Sequence, residues 1–229
     1  MQGKERKKGS IIRKTGTVLV GTGILLMLAG LCLFLWNRRE DDLAGRRAQE
    51  ALAELKAVVE NGEMLQGVNG DRAATGRAGD PARGKDGPAD GIVREQDTDI
   101  QAALIGDYEY AGYLGIPSLG LELPVMAQWS YLRLKIAPCI YYGSAQEGNL
   151  VIAAHNYSRH FGGLSKLGQG EEVTYTDVEG HVWHYEVETT DVLSPEAVED
   201  MTGSEYALTL FTCTYGGANR VTVWCGAKD

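Results

Sequence analysis

The sequence predicts an all-β domain, a closed barrel of eight short strands with short helices, which follows one transmembrane helix and a stalk. Three observations predict this organisation. A 19-residue apolar run, residues 18–36, follows a basic N-terminus. A segment rich in Gly, Ala, Asp and Arg, residues 61–97, has almost no bulky apolar side chains. From residue 98 onward, short apolar segments alternate with turn signals, as in small β-barrels.

The apolar run is long enough to cross a bilayer. At the helical rise its 19 residues span about 28 Å, and Trp36 ends the run where interfacial aromatic residues occur. Six of the first fourteen residues are Lys or Arg, which predicts a cytoplasmic N-terminus and an extracellular C-terminal domain. The bulky end of the run favours an uncleaved signal anchor over a cleaved signal peptide. We predict a basic cytoplasmic tail over residues 1–14 and a membrane-spanning helix over residues 15–37.

A stalk and a linker are predicted between the membrane and the barrel. Leu43, Ala51 and Leu55 recur at helical spacing, which predicts a stalk helix over residues 38–62. We interpret it as solvated; a self-association seam is the alternative, which three heptads would barely support. Residues 63–97 cannot bury enough apolar surface to offset the entropy cost of ordering, so they are predicted to form a flexible linker.

The folded domain is predicted to span residues 98–229. Apolar and polar residues alternate over short segments, and turn signals such as Glu179-Gly180 and Gly216-Gly217 separate them. The predicted strands cover residues 110–116, 121–126, 139–142, 149–154, 171–176, 181–193, 207–213 and 220–226. Short helices are expected over residues 128–135, 161–167 and 195–201.

The charge distribution argues against nucleic-acid binding. The net charge is −9, and residues 98–229 contain 6 Lys and Arg against 17 Asp and Glu. The arginines of this domain are Arg133, Arg159 and Arg220. Phosphate contacts require clustered cations, which this acidic domain lacks.

The four cysteines favour neither a disulfide framework nor a zinc site. Cys32, Cys139, Cys213 and Cys225 are widely spaced, and no pair has the Cys-x-x-Cys spacing of zinc ligands. No metal site is predicted. Cys139 and Cys225 are expected to pack in the core, and a disulfide between them stays open, because sequence does not give their distance.

Three reactive residue types converge at the ends of predicted strands. The segment Thr209–Cys213 reads TLFTC, Arg220 follows seven residues later, and His155 follows two small residues. If the Leu, Val and Ile faces of these strands fill the barrel, alternation directs Cys213, Arg220 and His155 outward. A free cysteine is more often a buried small hydrophobe. An outward cysteine that can meet a histidine and an arginine is not explained by core packing.

This constellation resembles the sortase family. The family signature is a TLxTC strand end, an arginine on the next strand and a histidine after an earlier strand. The strand pair over residues 112–117 and 122–125, and the N-terminal anchor, are also similar to the family, and the resemblance covers about residues 107–229. It implies a sortase-type barrel. Residues 194–206 are too few for the helical insert of class B, and no Asp-Pro-aromatic lid of class C is present, so a compact class A-, D- or E-like member fits best.

The resemblance implies a cysteine transpeptidase. Cys213 would be the nucleophile; an ordinary thiol titrates near about 8.5, so it needs activation. Arg220 would favour the thiolate and stabilise the oxyanion of the tetrahedral intermediate. His155 would protonate the leaving amine and deprotonate the incoming one. No metal and no organic cofactor is needed.

The resemblance also implies the partners. The substrate would be an exported protein with a Leu-Pro-x-Thr-Gly-like sorting signal, cut between Thr and Gly. The acceptor would be an amine on a cell-wall precursor or on another protein. The enzyme would be a single-pass membrane protein with its catalytic domain outside the cell.

Further positions are implied by the resemblance as the lining of the peptide groove. They directly precede the histidine and the cysteine, or lie on the facing loop: Ala153, Phe211, Thr212, Leu193 and Pro195.

Two rival functions remain open. An extracellular cysteine hydrolase of the papain kind places its cysteine before its histidine and at a helix start, whereas here His155 comes first and Cys213 ends a strand. A non-catalytic anchored barrel that binds a ligand is the other alternative. In that protein Cys213 would be unreactive.

Overall fold

The computed structural model describes residues 3–60 and 100–228, with side chains described from Leu19 onward. Two compact units share the chain: one ends at Leu43, and the other begins at Ala44 and contains the barrel. The linker predicted over residues 63–97 lies outside the described residues.

The N-terminal unit is helical. Helix α1 spans Gly3–Glu60 without a break, so the boundary predicted between residues 37 and 38 is not marked by a helix end. From Leu19 to Trp36 its apolar side chains are exposed. Among the described residues this is the one helix long and apolar enough to cross a membrane. Length and composition are therefore compatible with a single-pass anchor.

Nine strands and several short helices form the C-terminal unit. The strands are β1 Ala103–Ile105, β2 Tyr108–Ile116, β3 Leu121–Met126, β4 Cys139–Tyr142, β5 Leu150–Ala153, β6 Glu172–Asp177, β7 Val182–Leu193, β8 Leu208–Cys213 and β9 Arg220–Ala227. Helices α2 (Tyr131–Leu134) and α3 (Val198–Thr202), with 3-10 turns over Pro117–Leu119 and Phe161–Lys166, lie between strands. All eight predicted strands are present within a residue or two of their expected ends. The short β1 was not predicted.

The sheet closes on itself. Its order is β1-β2-β3-β4-β5-β8-β9-β7-β6, and β2 also pairs with β6, so eight strands form a ring and β1 extends one end of β2. Two pairings are parallel, β3 with β4 and β5 with β8, and the remainder are antiparallel. The predicted closed eight-stranded barrel is confirmed. The contact of β3 with β4 is limited to the pair Met126 and Cys139.

The barrel interior is filled by one face of the strands. Leu208 and Leu210 on β8 pack with Ile152 on β5 and Val223 on β9 in the main apolar cluster. This is the alternation expected from the sequence.

The outer face beside β5 and β8 is also covered, which the sequence did not reveal. Val151, Ala153 and Phe211 belong to a second apolar cluster with Leu134 of α2 and Met201 of α3. This covering layer is incomplete at the end of β8, as the half-buried Cys213 shows. The barrel therefore leaves that strand end accessible.

The expectation of a fully solvated stalk is wrong for residues 44–60. This part of α1 has a buried face: Ala48 and Leu55 are 0% exposed, and Leu52 is nearly so. Ala48 packs with the main cluster and Leu55 with the second one. Small and apolar residues three or four apart form a stripe that the barrel covers, as in any amphipathic helix.

Candidate active site

Cys213 and Arg220 face each other across a hairpin. Cys213 ends β8, Arg220 begins β9, and the antiparallel register pairs them directly. The loop between them is short and well bonded: Thr214 N–H donates to Asn219 O (2.9 Å), and Gly217 N–H donates to Thr214 O (2.8 Å). Gly217 has a φ of 77°, a conformation that favours glycine. Opposed residues of an antiparallel pair share one face, so the thiol and the guanidinium lie on the same side of the sheet.

The guanidinium of Arg220 is tied to this loop. Its Nη1 donates to the carbonyl oxygens of Gly217 and Asn219, at 3.2 Å each. Both bonds use one nitrogen, and a guanidinium has five N–H donors. The two bonds hold the planar group at the strand end beside Cys213.

His155 is brought to the same strand end by the parallel pairing of β5 with β8. The register pairs Ala153 with Phe211, so its extension by two residues brings His155 opposite Cys213. Two hydrogen bonds continue the pairing beyond β5. Ala154 N–H donates to Phe211 O (3.2 Å), and the Thr212 hydroxyl donates to Ala154 O (2.8 Å). These two bonds therefore link Ala154, the residue before His155, to β8, the strand that ends at Cys213.

The loop that follows His155 is tightly folded. The His155 ring lies 4.9 Å from the Tyr157 ring, and the Tyr157 ring lies 5.5 Å from the His160 ring (centroid distances). The carbonyl of Tyr157 accepts from the N–H groups of His160 and Gly162, and Phe161 N–H donates to His155 O. Asn156 Nδ2 contacts Thr214 O at 3.5 Å. We call residues 154–162 the histidine loop. His160 is fully buried, so it supports the loop from inside and does not face a ligand.

The ends of three neighbouring strands, and a residue two positions beyond a fourth, β5, thus form one row. The sheet order β5-β8-β9-β7, with Leu193 of β7 paired to Arg220, gives the sequence His155, Cys213, Arg220, Leu193 across the sheet. A thiol, an imidazole and a guanidinium in one row are residue types suited to acyl transfer.

The predicted groove residues differ in exposure. Leu193 and Pro195 are half-buried and offer surface beside Arg220. Ala153, Phe211 and Thr212 are nearly buried, at 3%, 8% and 3% exposure. The Thr212 hydroxyl donates to Ala154 O and so joins β8 to the residue before His155.

Aromatic residues missed by the sequence analysis cover Phe211. The ring of Tyr141 on β4 meets Phe211 edge-on at 5.1 Å, and Trp129 lies 5.4 Å from Tyr141. The ring of Tyr131 packs against Trp129, and Tyr131 is exposed. Burial raises the pKa of Tyr141, and Arg220 opposes this shift in part, so the phenol and the guanidinium lie within electrostatic reach. The strand alternation of β4 could have directed Tyr141 outward, but not toward Phe211.

Comparison with known proteins gives the family. Residues 114–228, a little over half of the chain, match the family described as Sortase domain. The chain belongs to the sortase family. No curated protein matches the chain.

Three solved sortases each align with about half of this chain. Sortase C from Clostridium perfringens SM101 is 25% identical, with a TM-score of 0.46 over 52% of this chain and 70% of that chain. Sortase A from Corynebacterium diphtheriae is 20% identical, with a TM-score of 0.47 over 53% and 62%. Listeria monocytogenes sortase A is 22% identical, with a TM-score of 0.49 over 52% and 88%.

Sortases are cysteine transpeptidases, and the other cysteines of this sortase differ from Cys213. Cys139 and Cys225 are fully buried, lie in different apolar clusters and have free thiols. Burial raises the pKa of each thiol to about 12. Both thiols are therefore protonated at neutral pH and chemically inert.

The carboxylate of Glu196 lies near Arg220, in the loop that follows β7. Glu196 accepts a short hydrogen bond from the Ser194 hydroxyl, which lowers the pKa of Glu196, and Arg220 lowers it further. The carboxylate is exposed and anionic at neutral pH. It adds negative charge beside the Arg220 cation.

One cluster of the sortase domain has donors suited to a metal ion. Asp177, Glu179 and His181 bring their ligand atoms within 4.8 Å of one another at the turn between β6 and β7. The Asp177 carboxylate already accepts from the N–H groups of Glu179 and His181, both at 2.9 Å. It acts as the cap of this turn.

Proposed function

We propose that this sortase is a membrane-anchored transpeptidase that cleaves a Leu-Pro-x-Thr-Gly-like sorting signal between Thr and Gly. The acyl group would pass through a thioester on Cys213 to an amine of a cell-wall precursor or of another protein. The observation that carries the proposal is the direct pairing of Cys213 with Arg220, beside the register that leads β5 to His155. Family membership supports the reaction class.

The first half-reaction forms the thioester. The Cys213 thiolate attacks the threonine carbonyl carbon, and the oxyanion that develops is stabilised by N–H donors of Arg220. The carbon–nitrogen bond then breaks, and His155 gives its proton to the departing glycine amine. One thioester and one free amine result. The half-buried position of Cys213 supports access of a peptide to the sulfur.

The second half-reaction transfers the acyl group. An acceptor amine attacks the thioester carbonyl, and His155 takes the proton that the amine loses. The intermediate collapses with loss of the Cys213 thiolate, and an amide bond replaces the thioester. Atoms and charge balance without a metal or an organic cofactor.

The substrate groove is proposed to run beside the row. Leu193 and Pro195 would form one wall, and Tyr141 with Trp129 would form the other above Phe211. Aromatic and apolar surfaces of this kind suit an extended apolar peptide. Ala153 and Thr212 would then form its floor and do not define its specificity.

Membrane attachment is also proposed. The exposed apolar side chains from Leu19 to Trp36 support an anchor helix, and the basic N-terminal flank supports a cytoplasmic N-terminus. The catalytic unit would then lie outside the cell, where exported substrates arrive.

Peptide turnover tests the function. The full-length protein in detergent micelles would be incubated with a quenched Leu-Pro-x-Thr-Gly peptide library, with and without an added amine, beside Cys213→Ala, His155→Ala and Arg220→Ala. Cleavage after Thr, transfer to the amine and loss of both in the variants support a sortase. Acid product alone would support a hydrolase. No turnover, with an unreactive Cys213, would support a binding module and contradict the proposal.

A further inference from the structure

The helix segment Ala44–Glu60 is fixed to the barrel at several points. Besides its buried apolar face, Lys56 Nζ lies 2.6 Å from Glu122 Oε1 on β3 and 5.3 Å from the ring centroid of Tyr113 on β2. Gln49 Nε2 donates to Glu122 O at 3.1 Å. Exposed ion pairs add little stability. These contacts therefore fix the rotation and register of the segment, while the buried Ala and Leu residues hold it in place.

The same segment touches the histidine loop at Gly45. This glycine is buried, and a Cβ built on it would lie 2.1 Å from Cδ and 3.1 Å from Cβ of Arg159. The stem of Arg159 therefore rests directly on the helix backbone. A side chain at position 45 would have to displace Arg159, because contacts this short do not occur.

Arg159 belongs to the histidine loop and is itself exposed. It directly precedes His160, whose ring packs on Tyr157, which in turn packs on His155. His155 lies beyond the last residue of β5, so loop contacts fix its position on the side away from β8. A displacement of Arg159 would reach His155 through two ring contacts.

We propose that the segment Ala44–Glu60 is a built-in positioning element that holds the histidine loop through the contact of Gly45 with Arg159. Gly45 and Arg159 are positioning residues for His155. This inference rests on the proposed function, since it assigns them to the acid–base group of that reaction. It also makes the end of the anchor helix a part of the catalytic unit.

Gly45→Leu in the full-length protein in detergent micelles tests the contact. The control is Ala53→Leu, an exposed position of the same segment. We expect Gly45→Leu to lower kcat about 10-fold or more with KM unchanged within about 2-fold, because misplacement of a catalytic group affects the chemical step. Ala53→Leu should change neither by more than about 2-fold.

A double variant separates positioning from general damage. Arg159→Ala removes Cγ and Cδ, which a leucine at position 45 would strike, and leaves only the Cβ at 3.1 Å. In that background, Gly45→Leu should cost less than about 3-fold in kcat, because the two residues act through one contact. Equal losses in both backgrounds would contradict the proposal.

Hydrogen exchange gives a readout independent of catalysis. The amides of His160, Phe161 and Gly162 are bonded within the loop, and Gly45→Leu should speed their exchange about 10-fold or more relative to Ala53→Leu. If the wild type turns over no peptide, the proposed function fails, and this exchange alone decides the inference. Equal exchange in the two variants overturns it. If Gly45→Leu does not fold, Arg159→Ala alone must speed the same amides; exchange at the wild-type rate overturns the inference.

Discussion

Cys213 and Arg220 are directly opposed residues of the antiparallel strands β8 and β9. Opposed positions lie about 4.5–5.5 Å apart at Cα and share a face of the sheet. Six residues form the connecting loop, and its hydrogen bonds hold the guanidinium in place. Backbone register therefore places both side chains on one face, and the loop carbonyls hold the guanidinium there.

Substitution of Arg220 should act on the chemical step. We expect Arg220→Ala to lower kcat/KM about 10³-fold, since an oxyanion donor is lost. Arg220→Lys should lose about 10–100-fold, because lysine keeps the charge but not the planar fork. Lys228→Ala is the matched control; it removes a cation just beyond β9 and should cost less than about 2-fold. Steady-state peptide cleavage measures all three, and full activity of Arg220→Ala would contradict this role.

Gly162, the last residue of the histidine loop, and its neighbour Gly163 offer a second test. A Cβ at Gly162 would lie 2.7 Å from the carbonyl oxygens of Asn156 and Tyr157, whereas one at Gly163 would meet Leu119 at 3.4 Å, an ordinary contact. Gly162→Ala should therefore deform the loop and reduce peptide turnover about 10-fold or more. Gly163→Ala should stay within about 2-fold. Equal rates for the two variants would show that the loop backbone does not control His155.

Thiol reactivity should be selective. Because burial raises the pKa of Cys139 and Cys225 to about 12, their thiolate fraction near neutral pH is on the order of 10⁻⁴ or less. Brief iodoacetamide treatment of the folded protein, followed by peptide mapping, should label Cys213 at least about 100-fold faster than either. Comparable labelling of all three would contradict the burial pattern.

Alkaline conditions should destabilise the fold through the same two thiols. Below the ordinary thiol pKa of about 8.5 both folded and unfolded states keep the protons, so the stabilising contribution is complete. Between 9.0 and about 10 the unfolded state loses them while the folded state does not, and the free energy of unfolding falls by about 1.4 kcal/mol per pH unit for each thiol. Above the ordinary tyrosine pKa of 10.0 the fall becomes steeper, because burial also raises the pKa of the Tyr110, Tyr175 and Tyr185 phenols. Urea unfolding measured across this window gives the slope.

Cys225→Ala provides the control for that slope. It removes one of the two groups, so the dependence of unfolding free energy on pH just above 9.0 should be about half as steep. An unchanged slope would assign the alkaline sensitivity to other groups.

Much of the barrel could be predicted because its signals are local. Alternating apolar residues and turn glycines mark eight of the nine strands, and the ninth, Ala103–Ile105, has only three residues. The row of His155, Cys213 and Arg220 follows from residue order and strand parity. These features depend on the two-residue alternation of side chains along a strand, which can be read from the sequence.

The covering elements could not be predicted, because they depend on what lies over a face. The sequence pattern that includes Ala48 and Leu55 is the same for a helix in solvent and for a helix packed against a barrel. Parity directs Phe211 outward, but does not reveal that aromatic rings cover it or that the hydroxyl of Thr212 bonds to Ala154 O, just beyond β5. Such contacts are set by tertiary packing.

The most direct test of the account is the intact mass of the full-length protein after brief incubation with a Leu-Pro-x-Thr-Gly-like substrate, followed by acid quench. We predict a mass increase equal to the acyl fragment ending in Thr, mapped to Cys213, absent in Cys213→Ala and discharged when an amine is added. Substrate turnover by the Cys213→Ala variant, which lacks the adduct, would contradict a thioester at Cys213. An adduct on another residue would contradict it too.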